Sequence, residues 1–404
     1  MSEFKQDNIS EVNNPAFNSF LLSLFLSLQI INQFLQIDAI AVLIILVLYI
    51  TIYRKIPLQG KPIAFFLFLL SFFLVTKFYF NFGETTFTYM IFYCGYGFTA
   101  LLLAGTKFDF KKLLYYTCVL YTVFSPAVVL LPSLKGEATM GEVYGYLFGF
   151  FCLLIYVFNK NYRPLSAPPV MTSVFFLTFL IYFFRISTTN TRGCIFSLIV
   201  FLVMYFIIIK SNTKLIVWTF FIIVLFLGIL LYMYTYEIFI WIKSFLSSFN
   251  ISLQFLDKSI YLLEVERFDH NRYKYFYAVA VENIKAHWLT GQGIAAFEEQ
   301  TDLVYVHNVF LQILFEGGII LFLPIFFTLI KVIKWFFPVS KGQKDIQMFI
   351  VMLFCSCVPK LLFSSVFWRE QKFILLLIIL LVYEKSKVRK WDIKKLERYR
   401  INKK

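Results

Sequence analysis

The sequence predicts an all-α polytopic membrane protein of about twelve transmembrane helices, with one large extracytoplasmic loop between the ninth and the tenth. Three observations carry that prediction. Apolar residues make up 60% of the 404, including 53 Phe and 25 Tyr, where a soluble domain holds roughly 45 to 50%. The apolar residues fall into runs of about twenty, the length of a helix that crosses a bilayer. Lys and Arg alternate in abundance from one inter-run segment to the next, as the positive-inside rule requires.

The runs lie near 16–34, 37–53, 62–80, 86–105, 113–131, 141–158, 168–185, 194–209, 215–234, 317–336, 346–364 and 371–384. Gln29, Asn32, Gln33 and Gln36 sit at the junction of the first two, which are the weakest of the set. With the N-terminus in the cytoplasm, the inner segments hold 25 of the 38 Lys and Arg with 8 acids, a net of +17, and the outer segments a net of −2. The two sum to the formal +15. Both termini are then cytoplasmic, and Glu298 and Glu299 lie outside. The segment before the first run lacks a basic n-region and a small-residue cleavage site, which predicts no cleaved signal peptide. The chain divides into an N-terminal bundle (1–234), an extracytoplasmic loop with amphipathic helices (235–306), C-terminal transmembrane helices (307–384) and a basic cytoplasmic tail (385–404). That tail reads as an anchor on anionic lipid rather than a nucleic-acid site. The six cysteines fall in or at the ends of apolar runs, so neither a disulfide framework nor a zinc site is expected.

Chemistry-bearing residues concentrate outside. His270, His287 and His307 are the three histidines of the chain, and all lie in the large loop or at its exit, with Arg267 and Arg272. Within "NRYKYFYAVAVENIKAHW", Phe276, Ala280 and Ile284 recur at i, i+4, i+8, with Arg272 one turn earlier. That spacing predicts an amphipathic helix on the membrane surface or over a cavity. The following Gly291 and Gly293 permit either a plain turn or a close backbone approach. Asn308, Gln312 and Glu316 form one polar stripe at helical spacing, with His307 at its outermost end. Such a stripe is costly in a membrane unless it lines a cavity or pairs within the bundle. Arg185 and Arg192 occupy a short outer connection among Ser and Thr, where Arg192 is either a snorkelling interfacial arginine or a functional one. Tyr273, Tyr275 and Tyr277 are candidates for stacking on sugars or for an aromatic interface belt.

Taken together, "TRG" at 191–193, an arginine just inside the loop helix, "GQG" at 291–293 and "HNVFLQILFEGGII" at 307–320 resemble the O-antigen ligase and polymerase family. The chain departs from the family pattern at His287-Trp288-Leu289, where the family often has His-Pro-Leu, and at Leu321, where a second small residue is expected. The resemblance implies a glycosyltransferase of the cytoplasmic membrane whose active site faces outward. It implies His307, Arg192 and Arg272 as catalytic residues, with Arg267 as the alternative to Arg272. Arg185, Arg267, Asn308, Gln312, Glu316, Gly291 and Gly293 are then candidates for substrate binding. It implies a polyprenyl-pyrophosphate-linked oligosaccharide as donor, a glycan acceptor, contact with membrane lipid, and a chain-length regulator and flippase as candidate partners.

The residue types suit that chemistry. Arginine keeps its charge and presents a planar fork to phosphate oxygens, each charge-assisted bond contributing roughly 1.5–3 kcal/mol. With no carboxylate cluster in the outer segments, no metal and no cofactor are expected. Histidine, with an unperturbed pKa near 6.5, can accept a hydroxyl proton. The leading expectation is polymerisation of repeat units into a surface polysaccharide, because the departures above fit the more divergent polymerases. The alternatives are a ligase that moves the glycan to a lipid core and, in another class, a lipid-linked glycan flippase. No internal repeat of the kind many transporters show is present in the sequence.

Overall fold

The structure is a computed structural model that describes residues 14–35, 38–52, 59–79, 83–135, 140–165, 167–188, 192–210, 235–248, 257, 260–261, 276–301, 305–337, 339, 341–363 and 366–383. Among them there are helices and turns and no strand. In chain order the helices are α1 (Pro15–Leu26), α2 (Leu28–Leu35), α3 (Asp38–Ile52), α4 (Gly60–Tyr79), α5 (Glu84–Ala104), α6 (Phe110–Lys135), α7 (Met140–Phe158), α8 (Val170–Thr188), α9 (Arg192–Lys210), α10 (Thr235–Ser247), α11 (Ala278–Ala286), α12 (Ala296–Thr301), α13 (Val309–Leu329), α14 (Val332–Trp335), α15 (Lys344–Phe363) and α16 (Gln371–Val382). Every apolar run read from the sequence is occupied by helix except 215–234, which lies outside the described residues. Five stretches among the described residues are long and apolar enough to cross a membrane: Gly60–Tyr79, Glu84–Ala104, Phe110–Val129, Val309–Trp335 and Lys344–Leu362.

Two boundaries differ from the hydropathy reading. The first run is two helices that meet at Ser27, whose N–H is shared between the carbonyls of Ser23 and Leu24. The helix of the tenth apolar run, α13, begins at Val309 rather than at 317, because the Asn308 side chain accepts from the N–H groups of Phe310 (3.0 Å) and Leu311 (3.3 Å). An N-cap satisfies donors that the helix itself leaves orphaned, so it sets the start more sharply than hydropathy does.

The bundle has a dry centre. From Val143 to Tyr156, α7 is buried on nearly every face, and so is α16 from Gln371 to Leu380. A helix apolar all round belongs in a core. α15 packs along α9, and α16 along α5. The peripheral helices turn large apolar side chains outward, among them Leu43, Leu177, Phe184 and Phe327. That is the surface a lipid-facing bundle presents.

A charged network sits inside. Lys360 on α15 pairs with Glu370, the residue before α16. Gln29 on α2 donates to both oxygens of that carboxylate (3.1 and 3.0 Å) and accepts from the Lys372 ammonium (2.7 Å). Glu370 and Lys372 are fully buried, and each has a partner, the carboxylate in Lys360 and Gln29 and the ammonium in Gln29, so neither is left as an isolated charge.

Candidate functional site

The site is built around a break in α13. Gly318 adopts φ 58°, ψ −158°, which interrupts the helix two residues past its buried Gln312–Glu316 stripe. A helix break in an apolar setting strands backbone groups, and each needs a partner. The loop after α11 supplies them. Gln292 and Gly293 donate to the carbonyls of Phe315 and Glu316, both at 2.9 Å, while Ile319 and Ile320 donate to Trp288 and Leu289 at 2.9 and 3.3 Å. The two backbones approach so closely that a Cβ on Gly291 would stand 2.4 Å from Glu316 carbonyl carbon, and one on Gly318 would stand 2.3 Å from that of Leu289. Both glycines also have positive φ, 69° and 58°. The Gly291–Gly293 pair is therefore a clasp on the broken helix, and the plain-turn alternative is set aside.

The polar stripe is satisfied within the bundle. Gln312 donates to Glu316 Oε1 (3.0 Å) and to Glu298 Oε1 (3.3 Å). Glu316 Oε2 accepts from the Trp368 indole N–H at 2.6 Å, and its Oε1 accepts from the Ala295 N–H at 3.4 Å. Asn308 serves as the N-cap, so the outermost member of the stripe holds helix rather than solvent.

His307 stands just before that cap with φ 59°, a left-handed conformation that costs a residue with a Cβ roughly 1–2 kcal/mol. Its ring is half-buried, 4.9 Å from the Phe276 ring in a T-shaped contact and 4.2 Å from that of Tyr305. Helix α11 packs over the outer end of α13, the mouth of the candidate site: Ala280 is buried, and Phe276 and Ile284 pack on the cluster of Phe297, Val306 and Phe315, as the i, i+4, i+8 spacing predicts.

A short helix, α12, ties the mouth to the rest of the bundle. Glu299 accepts from the Thr86 N–H and hydroxyl, both at 3.1 Å, at the N-terminus of α5, where a carboxylate complements the helix dipole. Glu298 accepts from Tyr89 Oη at 3.1 Å. Its second oxygen is buried with no hydrogen-bond partner, and burial pushes its carboxyl up from 4.5 to about 7, with the neighbouring Glu299 charge adding to the rise.

The other sequence candidates are placed as follows. Arg185 is in the last turn of α8. Arg192 is the first residue of α9, and Gly193 after it lies against Tyr144, leaving no space for a Cβ. Arg267, His270, Arg272, Tyr273 and Tyr275 lie outside the described residues. Sequence patterning gives no role to Trp368, Glu298 or Gly318. Two signals mark them in part: Gly318 lies within the "HNVFLQILFEGGII" motif, and Trp368 lies in a charged connection between two apolar runs. Among the described residues, no group of three His, Cys, Asp or Glu side chains converges on a point.

No curated protein matches the chain. Residues 177–326 match the family model described as O-Antigen ligase, a span from the middle of α8 to beyond the break in α13. That stretch, which holds His307 and the glycine clasp, is thus similar to the O-antigen ligase family, and the match supports the resemblance read from the sequence motifs.

Proposed function

We propose that the chain polymerises polyprenyl-pyrophosphate-linked oligosaccharide repeat units into a surface polysaccharide outside the cytoplasmic membrane, without a metal. The observation that carries the proposal is the setting of His307: a strained, half-buried histidine held by Phe276 and Tyr305 immediately outside a capped helix. A purely structural cap needs no imidazole there, because Asn308 performs it. Strain kept at one polar residue beside a covered mouth points to chemistry.

In this reading the acceptor hydroxyl loses its proton to the His307 imidazole as its oxygen bonds to the donor's anomeric carbon. The bond from that carbon to the pyrophosphate oxygen breaks, and the electron pair leaves with the lipid pyrophosphate. Arg192 and Arg272 hold the departing anion, gripping paired oxygens with fixed forks. The clasp and the buried Glu316–Trp368 bond keep the mouth from shifting, which matters because misplacement by about 1 Å can cost roughly 10²-fold. Both chain termini then lie in the cytoplasm, with the mouth outside.

A second reading, transfer of the finished glycan to a lipid core, is favoured by the description of the matched family model. Purified protein in lipid nanodiscs, given lipid-linked repeat units alone, tests both. Ladder formation by wild type, falling roughly 10²-fold or more in His307→Gln with the fold retained, is expected for a polymerase with a histidine base. Product only when a lipid-core acceptor is added selects the ligase, and equal rates for wild type and variant remove the histidine mechanism.

A further inference from the structure

A groove of about 880 Å³ opens between the C-terminal end of α4, the first turn of α5, the clasp and α12. Its walls are chemically mixed. Phe78 and Tyr79 stand 77% and 81% exposed at the end of α4, and opposite them lie Glu84, Gln292, Glu299 and Gln300. Among the described residues, no Lys or Arg lines it. We infer that this groove binds sugar residues of a lipid-linked glycan at a distance from its pyrophosphate, an inference that rests on the transferase reading above.

The chemistry excludes the other parts of the substrate. Two carboxylates, with no cation among the described lining residues, repel a pyrophosphate or an anionic lipid headgroup. Amides and carboxylates along one wall disfavour an acyl chain, because each would lose water without a partner. Sugar hydroxyls can donate to the carboxylates and exchange bonds with the amides, while the C–H face of a pyranose packs on an exposed ring. The walls are also fixed. The Gln292 amide donates to Asn283 Oδ1 at 2.8 Å, Ile294 N–H donates to the Thr76 hydroxyl at 3.0 Å, and Glu299 is held on α5. Position agrees with the role. On α12, Glu298 meets Gln312 of α13, while the next two residues, Glu299 and Gln300, line the groove. One six-residue helix thus separates the groove from the helix that His307 precedes.

The test uses full-length protein in nanodiscs. The probe is a phosphate-free oligosaccharide cut from the host's own surface polysaccharide, followed by saturation-transfer NMR and by titration. Tyr79→Ala and the pair Glu84→Gln with Gln300→Ala alter exposed side chains, so the fold survives them. Each should weaken the oligosaccharide at least about tenfold while leaving inorganic pyrophosphate binding unchanged. The inference falls if wild type does not bind the oligosaccharide, if the variants bind it as wild type does, or if they change only the phospholipid that co-purifies. Its failure is separable from that of the transferase reading. Normal oligosaccharide binding by the groove variants alongside an inactive His307→Gln removes the groove alone. Loss of binding in those variants, with wild type forming no glycosidic bond, keeps the sugar groove and removes the transferase.

Discussion

Gly291→Ala should loosen the clasp on the broken helix, and the structure sets the size of the effect. Alanine at φ 69° carries roughly 1–2 kcal/mol of left-handed strain. Its Cβ would fall 2.4 Å from Glu316 carbonyl carbon and Gly317 nitrogen, both backbone atoms, so the loop must retreat rather than a side chain swing away. Retreat breaks the Gln292–Phe315 and Gly293–Glu316 bonds, each contributing about 1 kcal/mol net. The total is about 3–4 kcal/mol, large against the marginal stability of a folded chain. The assay is thermal unfolding of detergent-solubilised protein with limited proteolysis of the loop. Gly342→Ala, where a Cβ meets nothing within 4 Å, is the control. A lower melting temperature and faster cleavage between 287 and 300 are expected for Gly291→Ala alone. An unchanged melting temperature and cleavage rate would refute the clasp.

Arg192→Lys and Arg272→Lys should each cut transfer strongly at normal expression, because lysine keeps the charge and loses the paired fork. Near-normal product from both, measured by radiolabelled glycan transfer, would remove the pyrophosphate grip. Burial raises the folded Glu298 carboxyl from 4.5 to about 7. Its contribution to stability is therefore fully present below pH 4.5 and is lost as pH rises through about 7. Melting temperature across that window should decline in wild type and decline less in Glu298→Gln, and parallel curves would show that another group sets the slope.

The helices were legible because their signal is local. Glu84–Ala104 matches the run 86–105 and Lys344–Phe363 matches 346–364, since apolar side chains in succession are both the signal and the cause. The site was legible only in outline. The Asn308, Gln312 and Glu316 periodicity marks one face, but the partner that satisfies Glu316 is Trp368, 52 residues on. Likewise the two glycines announce conformational freedom, while the reason for it is a backbone 25 residues away whose own break at Gly318 leaves no trace in hydropathy. His307 is conspicuous by rarity, yet its positive φ follows from a cap and a cover that no single segment encodes.

The buried Lys360–Glu370–Gln29–Lys372 network also bears on how the chain is made. Gln29 precedes Glu370 by 341 residues, so α2 leaves the ribosome long before its partner exists. Lys360 arrives ten residues before its counter-ion, and an ammonium in an apolar bundle without that carboxylate is a severe penalty. Assembly is thereby coupled to completion. A chain that stops after α15 leaves a cation stranded, and a chain with α2 displaced leaves Glu370 and Lys372 without the amide that bridges them. Helix α2 and the α15–α16 connection check one another, and the interior charges find their partners only when both are in place.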